Sequence, residues 1–533
     1  MKSMNKYVAV NKRSLRLALE EALGPMMTFF DPNRGNLPYF GNSMTGENWG
    51  NTHADVYSLA HIPGRWLNGL LNAEDVLGRE EAALDEDAVN TLAHWARFSL
   101  SATKLGFPPC IDVNTGEPVQ KVCLHNLREV MHAMTALVRF RGDHEAKALG
   151  LGLIGSVDRY FDYATGRFRE TQWRRETGGE LTDPDDAFPV TFGRYIGPLV
   201  KFYRATGEIS AIRQAVALKD VCFRDVLNEK GDYDPILFGG HTHSTTAMIS
   251  SLALLGDALG DRAILERCRA FLENGLTRIA VDFGWCIEGY ARQDDVGEIN
   301  NTADILETCL ILGKWGYPGY YARAERILRG HLLPAQLLDT SFIEDPDDAS
   351  CPERYRMASR SRGAFGFPCP YGHEDHEGAW ISFNWDIVGG GSEGLCEAIR
   401  AQWSRLGDMI SVNLLFDAEN ETFAFSNPYD GGDTATVTAR RSIRALRVRM
   451  PGNCAGVTVE GVDSCVDGEW LYLSSLRAGD TARLTYAFEE RTVATPFRGR
   501  FFTLRWRGEE VTGAASQGKR LCFFPDLTAP SAP

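Results

Sequence analysis

The sequence lacks any run that approaches the ~18 consecutive apolar residues of a membrane-spanning helix. Its first residues also lack the apolar segment of a secretion signal. Clusters of basic residues are absent too, and the formal net charge is -15, whereas nucleic acids and anionic membranes are bound by clustered positive charge. We therefore expect a cytoplasmic protein whose partners include neither nucleic acid nor membrane.

Close cysteine pairs are also missing. The 12 cysteines of the 533 residues are scattered singly, which is typical of reduced thiols rather than of a disulfide framework. A convincing phosphate-binding loop is absent, because the glycine run 389–391 is not set in a βαβ pattern. We expect no cofactor, and the sequence does not decide whether the chain forms a homo-oligomer.

Strand patterns are nearly absent from residues 86–410, where one apolar-periodic helix follows another, usually in pairs. Short glycine-centred turns, as at Gly142, Gly207 and Gly260, separate the two helices of several pairs. A dozen or so helices fit either an open solenoid or a closed α/α toroid. The long irregular inserts favour the toroid, because in a closed ring the inserts would converge at one end and line a pocket. These inserts are 171–192, 282–301 and 341–385.

After about Ser411 the apolar period changes from 3.6 to 2, with Gly, Asp and Asn at the breaks. Seven or more such segments predict antiparallel strands in a β-sandwich. The expected fold is therefore mainly α: an (α/α)6-type helical toroid at 1–410, an antiparallel β-sandwich at 411–525 and a disordered tail at 526–533.

The densest grouping of carboxylates, thiols and aromatic residues runs from Asp282 to Leu310. Glu288 lies there beside Trp285 and Tyr290, a combination of carboxylate and aromatic rings that suits sugar chemistry. Further along, Glu307 stands two residues before a cysteine at the start of an apolar helical run. The alternative is that Asp304 and Glu307 only favour the positive end of a helix capped by Asn301 or Thr302.

Two further groups could contribute to a binding site. His241 and His243 are flanked by glycines at a helix start, where metal binding, substrate binding and helix capping are all open. Asp55, His61 and Arg65 recur at helical spacing and could project from one side of a helix, although a solvated helix face has the same pattern.

Several features together resemble glycoside hydrolase family 127, the β-L-arabinofuranosidases. They are the helical toroid, Glu-Thr-Cys at 307–309, a Gly-rich helix start after an aromatic loop, and the C-terminal sandwich with Leu-Arg-Val-Arg-Met-Pro-Gly. The resemblance covers roughly residues 45–505. It implies a toroid-plus-sandwich fold and an enzyme that acts on carbohydrate.

The resemblance also implies a zinc site made from a Glu-x-Cys pair and a later Cys-Cys dipeptide, whose first cysteine is the nucleophile. Glu307 and Cys309 match the pair, and Glu288 is the nearest candidate for the family's acid/base. Where the dipeptide is expected, this chain has Ile387-Val388. Without those thiolates a four-ligand zinc site cannot be completed as in the family, so we expect no metal and a buried thiol at Cys309.

The sequence thus predicts a metal-independent glycoside hydrolase that removes a terminal sugar from a small oligosaccharide or glycoside. Such chemistry needs one protonated and one ionised carboxyl group, and the candidates are Glu288, Glu307 and Asp386. We expect Glu288 to be the acid, because Trp285 would give it apolar surroundings that favour the protonated form. Substrate contacts are expected from His241, His243, Trp285, Tyr290, Arg292, Trp385, Asp55 and Arg65.

Two alternatives remain open. A polysaccharide lyase on the same scaffold would use His241, His243, Tyr290 or Arg292 to remove a proton from a uronide and to neutralise its carboxylate. A non-catalytic sugar-binding protein is the other, since the family's nucleophile is missing.

Overall fold

The computed structural model describes residues 10–183, 186–373, 383–515 and 521–527. Twelve helices of this part of the chain build a ring. They are α1 (Leu15–Thr28), α2 (His61–Leu77), α3 (Glu86–Ser101), α4 (Leu127–Arg141), α5 (His144–Tyr160), α6 (Ile196–Thr206), α7 (Ile209–Asp225), α8 (Thr242–Leu259), α9 (Arg262–Glu273), α10 (Ile299–Lys314), α11 (Gly319–Ile327) and α12 (Asp386–Ala401). Shorter helices, among them Arg79–Ala82, Glu170–Thr177, Pro235–Phe238 and Met357–Ser361, lie in the connecting segments.

The even-numbered helices form the inner ring. Each packs against the next along the chain, and α12 packs against α2, which closes the ring. The odd-numbered helices lie outside, each against a neighbouring inner helix. This confirms the closed (α/α)6-type toroid rather than an open solenoid. In the described part of the chain, no helix is long and apolar enough to span a membrane.

The connections differ at the two ends of the ring. Where an inner helix ends, a short turn leads to the outer helix: Gly142 and Gly260 adopt positive φ values of 64° and 68°, and the aspartate that follows each glycine caps the next helix. Where an inner helix begins, the connection is long. The inserts at 171–192 and 282–301 therefore meet at one end, as predicted, while 374–382 of the third insert lies outside the described residues.

Close packing within the inner ring requires glycine. A Cβ atom on Gly390 of α12 would lie 1.9 Å from the Asn300 side chain of α10, and one on Gly64 of α2 would lie 2.2 Å from the Glu129 carbonyl oxygen of α4. The glycine run 389–391 thus lies inside α12 and brings helix backbones together, which leaves no room for larger side chains.

Ten strands after the toroid form two five-stranded sheets around one apolar core. The first sheet has the order β1-β2-β6-β9-β8 and the second β3-β4-β5-β10-β7. Their pairings are antiparallel except that of β2 with β6, which is parallel. The strands are β1 (Trp403–Leu406), β2 (Met409–Val412), β3 (Ala418–Glu419), β4 (Phe423–Ser426), β5 (Thr434–Ala439), β6 (Ala445–Arg449), β7 (Cys454–Glu460), β8 (Ser464–Asp467), β9 (Trp470–Leu473) and β10 (Thr481–Phe488).

The last three strands form a separate antiparallel sheet: β11 (Glu490–Phe497), β12 (Arg500–Arg507) and β13 (Glu510–Ala514). We expected residues 411–525 to form one sandwich. The difference arises because Phe497 and Phe502 pack against Trp285 of the toroid, so their apolar face joins the toroid core. Of the predicted disordered tail, Asp526 pairs with Ala514, and residues 528–533 lie outside the described residues.

A buried ionic network joins these units. Glu325 of α11 binds Arg329 at 2.9 Å and also Arg449 of β6, and Arg449 lies 3.7 Å from Glu509 before β13. All four side chains are almost completely buried. Loss of one partner would leave an uncompensated buried charge, so the network links the toroid, the sandwich and the third sheet.

Candidate active site

Polar side chains meet where the six inner helices begin. His61 and Asp386 are the first residues of α2 and α12, and His241 and Glu298 directly precede α8 and α10. The beginnings of α4 and α6 bring Asn126 and Arg194. Since the N-terminal end of a helix carries partial positive charge, this end of the ring favours negative groups.

Two carboxyl groups lie side by side in this cluster. The amide nitrogen of Asn300 is 2.6 Å from Glu298 Oε1 and 3.2 Å from Asp386 Oδ2. His61 Nε2 also lies 3.3 Å from Asp386 Oδ2, and its Nδ1 is 3.1 Å from the Asn126 side-chain oxygen. One amide and one imidazole therefore fix the position of the Asp386 carboxylate.

Glu298 has surroundings that keep it protonated. Burial, together with the carboxylates of Asp386 and Glu288, raises its pKa to about 8. Its Oε1 accepts from Asn300 and faces His243 Nδ1 at 3.4 Å, while Oε2 makes no hydrogen bond to another described residue. The proton of Glu298 therefore belongs on Oε2, where it is free for donation.

Four imidazoles lie beside the carboxyl pair. The rings of His61 and His125 stack at 5.5 Å, and His241 lies 5.3 Å from His125 and 5.8 Å from His243. Burial, then the charge of Arg194, lowers the pKa of His241 to about 3 and holds the pKa of His125 and of His243 well below the usual value. These three rings are therefore neutral at physiological pH.

A buried carboxylate organises the cations below the cluster. Glu129 is 0% exposed and is surrounded by Arg65 at 3.3 Å, Arg128 at 3.1 Å and Arg194. Burial alone would raise its pKa, but these guanidinium groups, Arg194 foremost, hold the pKa well below its usual range. Arg65 in turn donates to His243 Nε2 at 3.0 Å.

The structure brings several of the predicted residues together. Asp386, His241, His243 and Arg65 belong to the cluster, and Glu288 is close enough to raise the pKa of Glu298. Glu288 itself is half-buried.

The charged partner of Glu288 is Arg292, at 3.3 Å, rather than the apolar ring that we expected. Arg292 also binds Asp294 at 2.7 Å. Tyr290 packs against Tyr233 and lies under the guanidinium group of Arg498.

Other predicted residues lie elsewhere. Glu307 points to the far half of the ring, where it is bound by Ser250 and lies 3.5 Å from Lys201. Its helix begins at Ile299, so neither Asn301 nor Thr302 caps it. Asp55 precedes α2, is exposed and does not share the inner face with His61 and Arg65.

Both predicted tryptophans are structural. Trp285 and Trp385 are 0% exposed. The Trp285 indole donates to the Pro368 carbonyl oxygen, and the Trp385 indole stacks on Phe29 and donates to Asn51. Neither ring is available to a sugar.

The residues present do not fit the zinc centre that the family resemblance implies. Cys309 is fully buried beside the charges of Arg323 and Arg326, and burial raises its pKa to about 11. Ile387 and Val388 are buried in α12. The thiol at Cys309 is therefore buried, as expected, and it does not meet Glu307 at a shared metal.

Among the described residues, His241, His243 and Glu298 could offer three ligand atoms within 4.8 Å of one another. Arg65 can only donate, so it engages the lone pair of His243 Nε2 and places the proton of this neutral ring on Nδ1. That Nδ1–H faces Glu298. Neither nitrogen of His243 is then free to bind a metal ion.

Sequence reasoning missed Glu298, Asn300, His125, Glu129 and Arg194. Glu298-Ile-Asn300 has the same spacing as Glu307-Thr-Cys309, with an amide in place of the thiol. A polar residue at the start of every second helix is the pattern that would have found the cluster.

The fold is similar to that of known carbohydrate-acting proteins. A GH127 β-L-arabinofuranosidase from Geobacillus stearothermophilus T6 is 14% identical, with 86% of this chain and 78% of that chain covered and a TM-score of 0.55. A GH127 β-arabinofuranosidase, BT3674, is 13% identical over 94% and 81%, with a TM-score of 0.59. A cellobiose 2-epimerase from Bacillus thermoamylovorans B4167 is 14% identical over 72% and 98%, with a TM-score of 0.52.

No protein-family model and no curated protein matches the sequence. At these identities the similarity concerns the fold, and at that level the resemblance to glycoside hydrolase family 127 is confirmed.

Proposed function

We propose that the protein is a carbohydrate-active enzyme, and within that class a glycoside hydrolase that removes a terminal sugar from a small oligosaccharide or glycoside. The observation that carries this proposal is the carboxyl pair of Glu298 and Asp386, joined through Asn300. One member has a pKa of about 8, and the other lies at a helix N-terminus and accepts from two side chains. Such a pair supports the roles of acid and nucleophile that retaining glycoside hydrolysis needs.

In the proposed reaction Asp386 attacks the anomeric carbon while the glycosidic oxygen takes the proton of Glu298 and departs as an alcohol. A water molecule then gives a proton to the Glu298 carboxylate, attacks the anomeric carbon and releases Asp386. Asn300 and His61 hold Asp386 in place during both steps. The acid in this scheme is Glu298 rather than Glu288, which lies at the edge of the cluster beside Arg292.

The geometry favours retention of the anomeric configuration. Two carboxyl oxygens that share one amide nitrogen, at 2.6 Å and 3.2 Å, suit the ~5 Å separation of retaining enzymes better than the ~6.5 to 9.5 Å of inverting ones. The shorter gap leaves no room for a water molecule between the carboxylate and the sugar.

The proposal is tested with a panel of aryl glycosides that includes β-L-arabinofuranoside, combined with NMR of the first-formed product anomer. We expect turnover of at least one member, with retention. Glu298→Gln and Asp386→Asn should abolish turnover. The control variant Glu307→Gln, which removes a carboxylate of α10 outside the cluster, should not. If no glycoside is hydrolysed, or if both cluster variants keep full activity, the proposal fails.

A second candidate is proton abstraction from a sugar carbon, as in elimination on a uronide. His241 favours it, because its ring is neutral, is not fully buried and has Nδ1 2.7 Å from Ser244 Oγ. This candidate requires the ring proton on Nδ1, donated to Ser244, so that Nε2 is the base. It ranks second because a pKa of about 3 makes this imidazole a weak base. An ultraviolet absorbance band of an unsaturated product that is lost in His241→Gln, without release of a reducing sugar, would select it.

A further inference from the structure

A cavity lies at the end of the ring opposite to the carboxyl cluster, between the last turns of the inner helices and the first sheet of the sandwich. Its volume is about 890 Å³, within the range of small-molecule sites. The helices α6, α8, α10 and α12 line one side, and β1, β2, β6 and β9 line the other. The cavity therefore depends on both units of the molecule.

The charges of this cavity are not balanced. Its lining contains five cationic and three acidic side chains: Arg204, Lys314, Arg400, Arg405, Arg447, Asp257, Glu307 and Glu397.

Each of the three acids already has a charged partner. Asp257 binds Arg204 at 2.8 Å and Lys314 at 2.7 Å. Glu397 binds Arg400 at 2.9 Å, and Glu307 lies 3.5 Å from Lys201, which comes from outside the lining. Outside the lining, Asp75 also binds Arg400 at 2.7 Å and Glu393 lies 3.6 Å from Lys201. Arg405 and Arg447 are then the two lining cations that no carboxylate among the described residues binds, and they leave local positive charge in a chain of net charge -15.

Arg447 of β6 is the half-buried member of that surplus. Its Nε donates to Ser411 at 2.8 Å, and its guanidinium group stacks over Trp470 at 4.0 Å. No carboxylate among the described residues binds it, and its two Nη groups make no hydrogen bond there. The stack fixes the plane of the guanidinium group, so a ligand would meet two donors in a set orientation.

Hydroxyl and amide groups surround this guanidinium. Tyr321 lines the cavity, and its hydroxyl makes no hydrogen bond to a described residue; Ser404, Ser411 and Asn413 are nearby in the lining. Burial raises the pKa of Tyr321 to about 12, so the phenol keeps its proton and can donate. Donors beside an oriented cation match a ligand that carries one anionic group and several hydroxyls.

We propose that this cavity is a second binding site, separate from the carboxyl cluster, for a small polyhydroxylated anion such as a sugar acid or a sugar phosphate. Arg447 binds the anionic group, and Tyr321 and the polar lining bind the hydroxyls. The proposal does not depend on the reaction at the other end of the ring.

Titration calorimetry at low salt tests the site with D-glucuronate, D-glucose 6-phosphate and D-glucose as probes, in the Asp386→Asn background so that turnover does not interfere. We expect one site for at least one of the two anions and none for neutral glucose. Adding salt should weaken binding, because the attraction is ionic. The stronger of the two anions identifies the anionic group as carboxylate or phosphate.

Arg447→Gln should weaken binding at least about tenfold, since a charge-assisted pair of hydrogen bonds is lost. The matched control is Arg444→Gln, which removes an exposed arginine that is paired with Asp408 just before the same strand and should leave affinity unchanged. Tyr321→Phe, which removes only a hydroxyl, should weaken binding a few-fold if Arg447→Gln does not fold. Absence of binding by both anions, or binding that Arg447→Gln and Tyr321→Phe leave unchanged, overturns the proposal.

Discussion

The two ends of the ring are built from the same six inner helices, but their helix termini have opposite partial charges and face side chains of opposite charge. At the end where the inner helices begin, helix termini with partial positive charge face carboxyl groups and neutral imidazoles that contact one another directly. At the other end, termini with partial negative charge meet cations around an open cavity. This difference underlies our two proposals, proton transfer at the first end and binding of a charged ligand at the second.

Carboxyl variants should separate the two ends most strongly. Glu298→Gln and Asp386→Asn should each lower kcat/KM by about 10³-fold or more, because in the proposed mechanism each removes a group that acts on the reacting bond. Glu307→Gln, on the far half of α10, should change kcat/KM less than about threefold. Steady-state kinetics on the best glycoside checks this. The reverse order of effects would place the chemistry at the other end of the ring.

The same Glu298→Gln variant should be more stable than the native protein. The pKa of Glu298 is about 8 in the folded protein against 4.5 for an ordinary glutamate, so folding must keep a proton that the unfolded chain releases. This cost grows as pH rises from about 4.5 to 8, and glutamine avoids it. We expect a gain of about 3 kcal/mol at pH 7.

Urea unfolding at several pH values measures that gain. The difference between variant and native protein should nearly vanish at pH 4 and widen up to about pH 8. Glu307→Gln serves as the control for removal of a buried carboxyl from the same helix. A gain that does not vary with pH would contradict the assignment of the proton to Glu298.

Under the proposed mechanism, the activity of the native protein should fall on the alkaline side of its pH profile. Above pH about 8 the acid Glu298 loses its proton, so kcat/KM should drop about tenfold per pH unit. A pH profile of kcat/KM, with protein stability checked at each pH, measures this. A profile that stays flat to pH 10 would remove Glu298 from the role of acid.

Chelators should have the smallest effect. Because His243 is engaged by Arg65 and Glu298 on its two nitrogens, activity should stay within about twofold after dialysis against a strong zinc chelator. Elemental analysis of the purified protein provides the control. One tightly held zinc ion per chain whose removal abolishes activity would contradict the tautomer that we infer for His243.

Much of the fold could be predicted from the sequence, because the period of the apolar residues within each short segment is enough to distinguish helices from strands. The alternation of helical pairs and the glycine turns at 142 and 260 correspond to what the structure shows. The change to strands was placed too late, because β1 already begins at Trp403 and β2 at Met409, within the predicted toroid of residues 1–410. The third sheet could not be separated from the sandwich. Its strands have the same period, and only the long-range contact of Phe502 with Trp285 assigns it to the toroid.

The site was predicted only in part. Asp386, His241, His243 and Arg65 were named, whereas Glu298 was passed over in favour of Glu307, nine residues later on the same helix. Glu307 was taken to lie at the start of its helix, whereas α10 begins at Ile299. The expected site was therefore displaced by more than two helical turns. Trp285 and Glu288 show a related limit, because residues three apart in a loop can have different surroundings. Trp285 packs in the core, whereas Glu288 is half-buried and pairs with Arg292.

The packing of α12 against α2 affects how the protein folds, because it closes the ring. The ring closes only when a helix that ends at Ala401 reaches one that begins at His61, so its closing contacts are among the most distant along the chain. Contacts of such separation form slowly, because a long loop must first be ordered. His61 and Asp386, which lie 3.3 Å apart, belong to that closing pair. A chain that lacks α12 would therefore hold five of the six inner helices and would lack Asp386 of the proposed carboxyl pair.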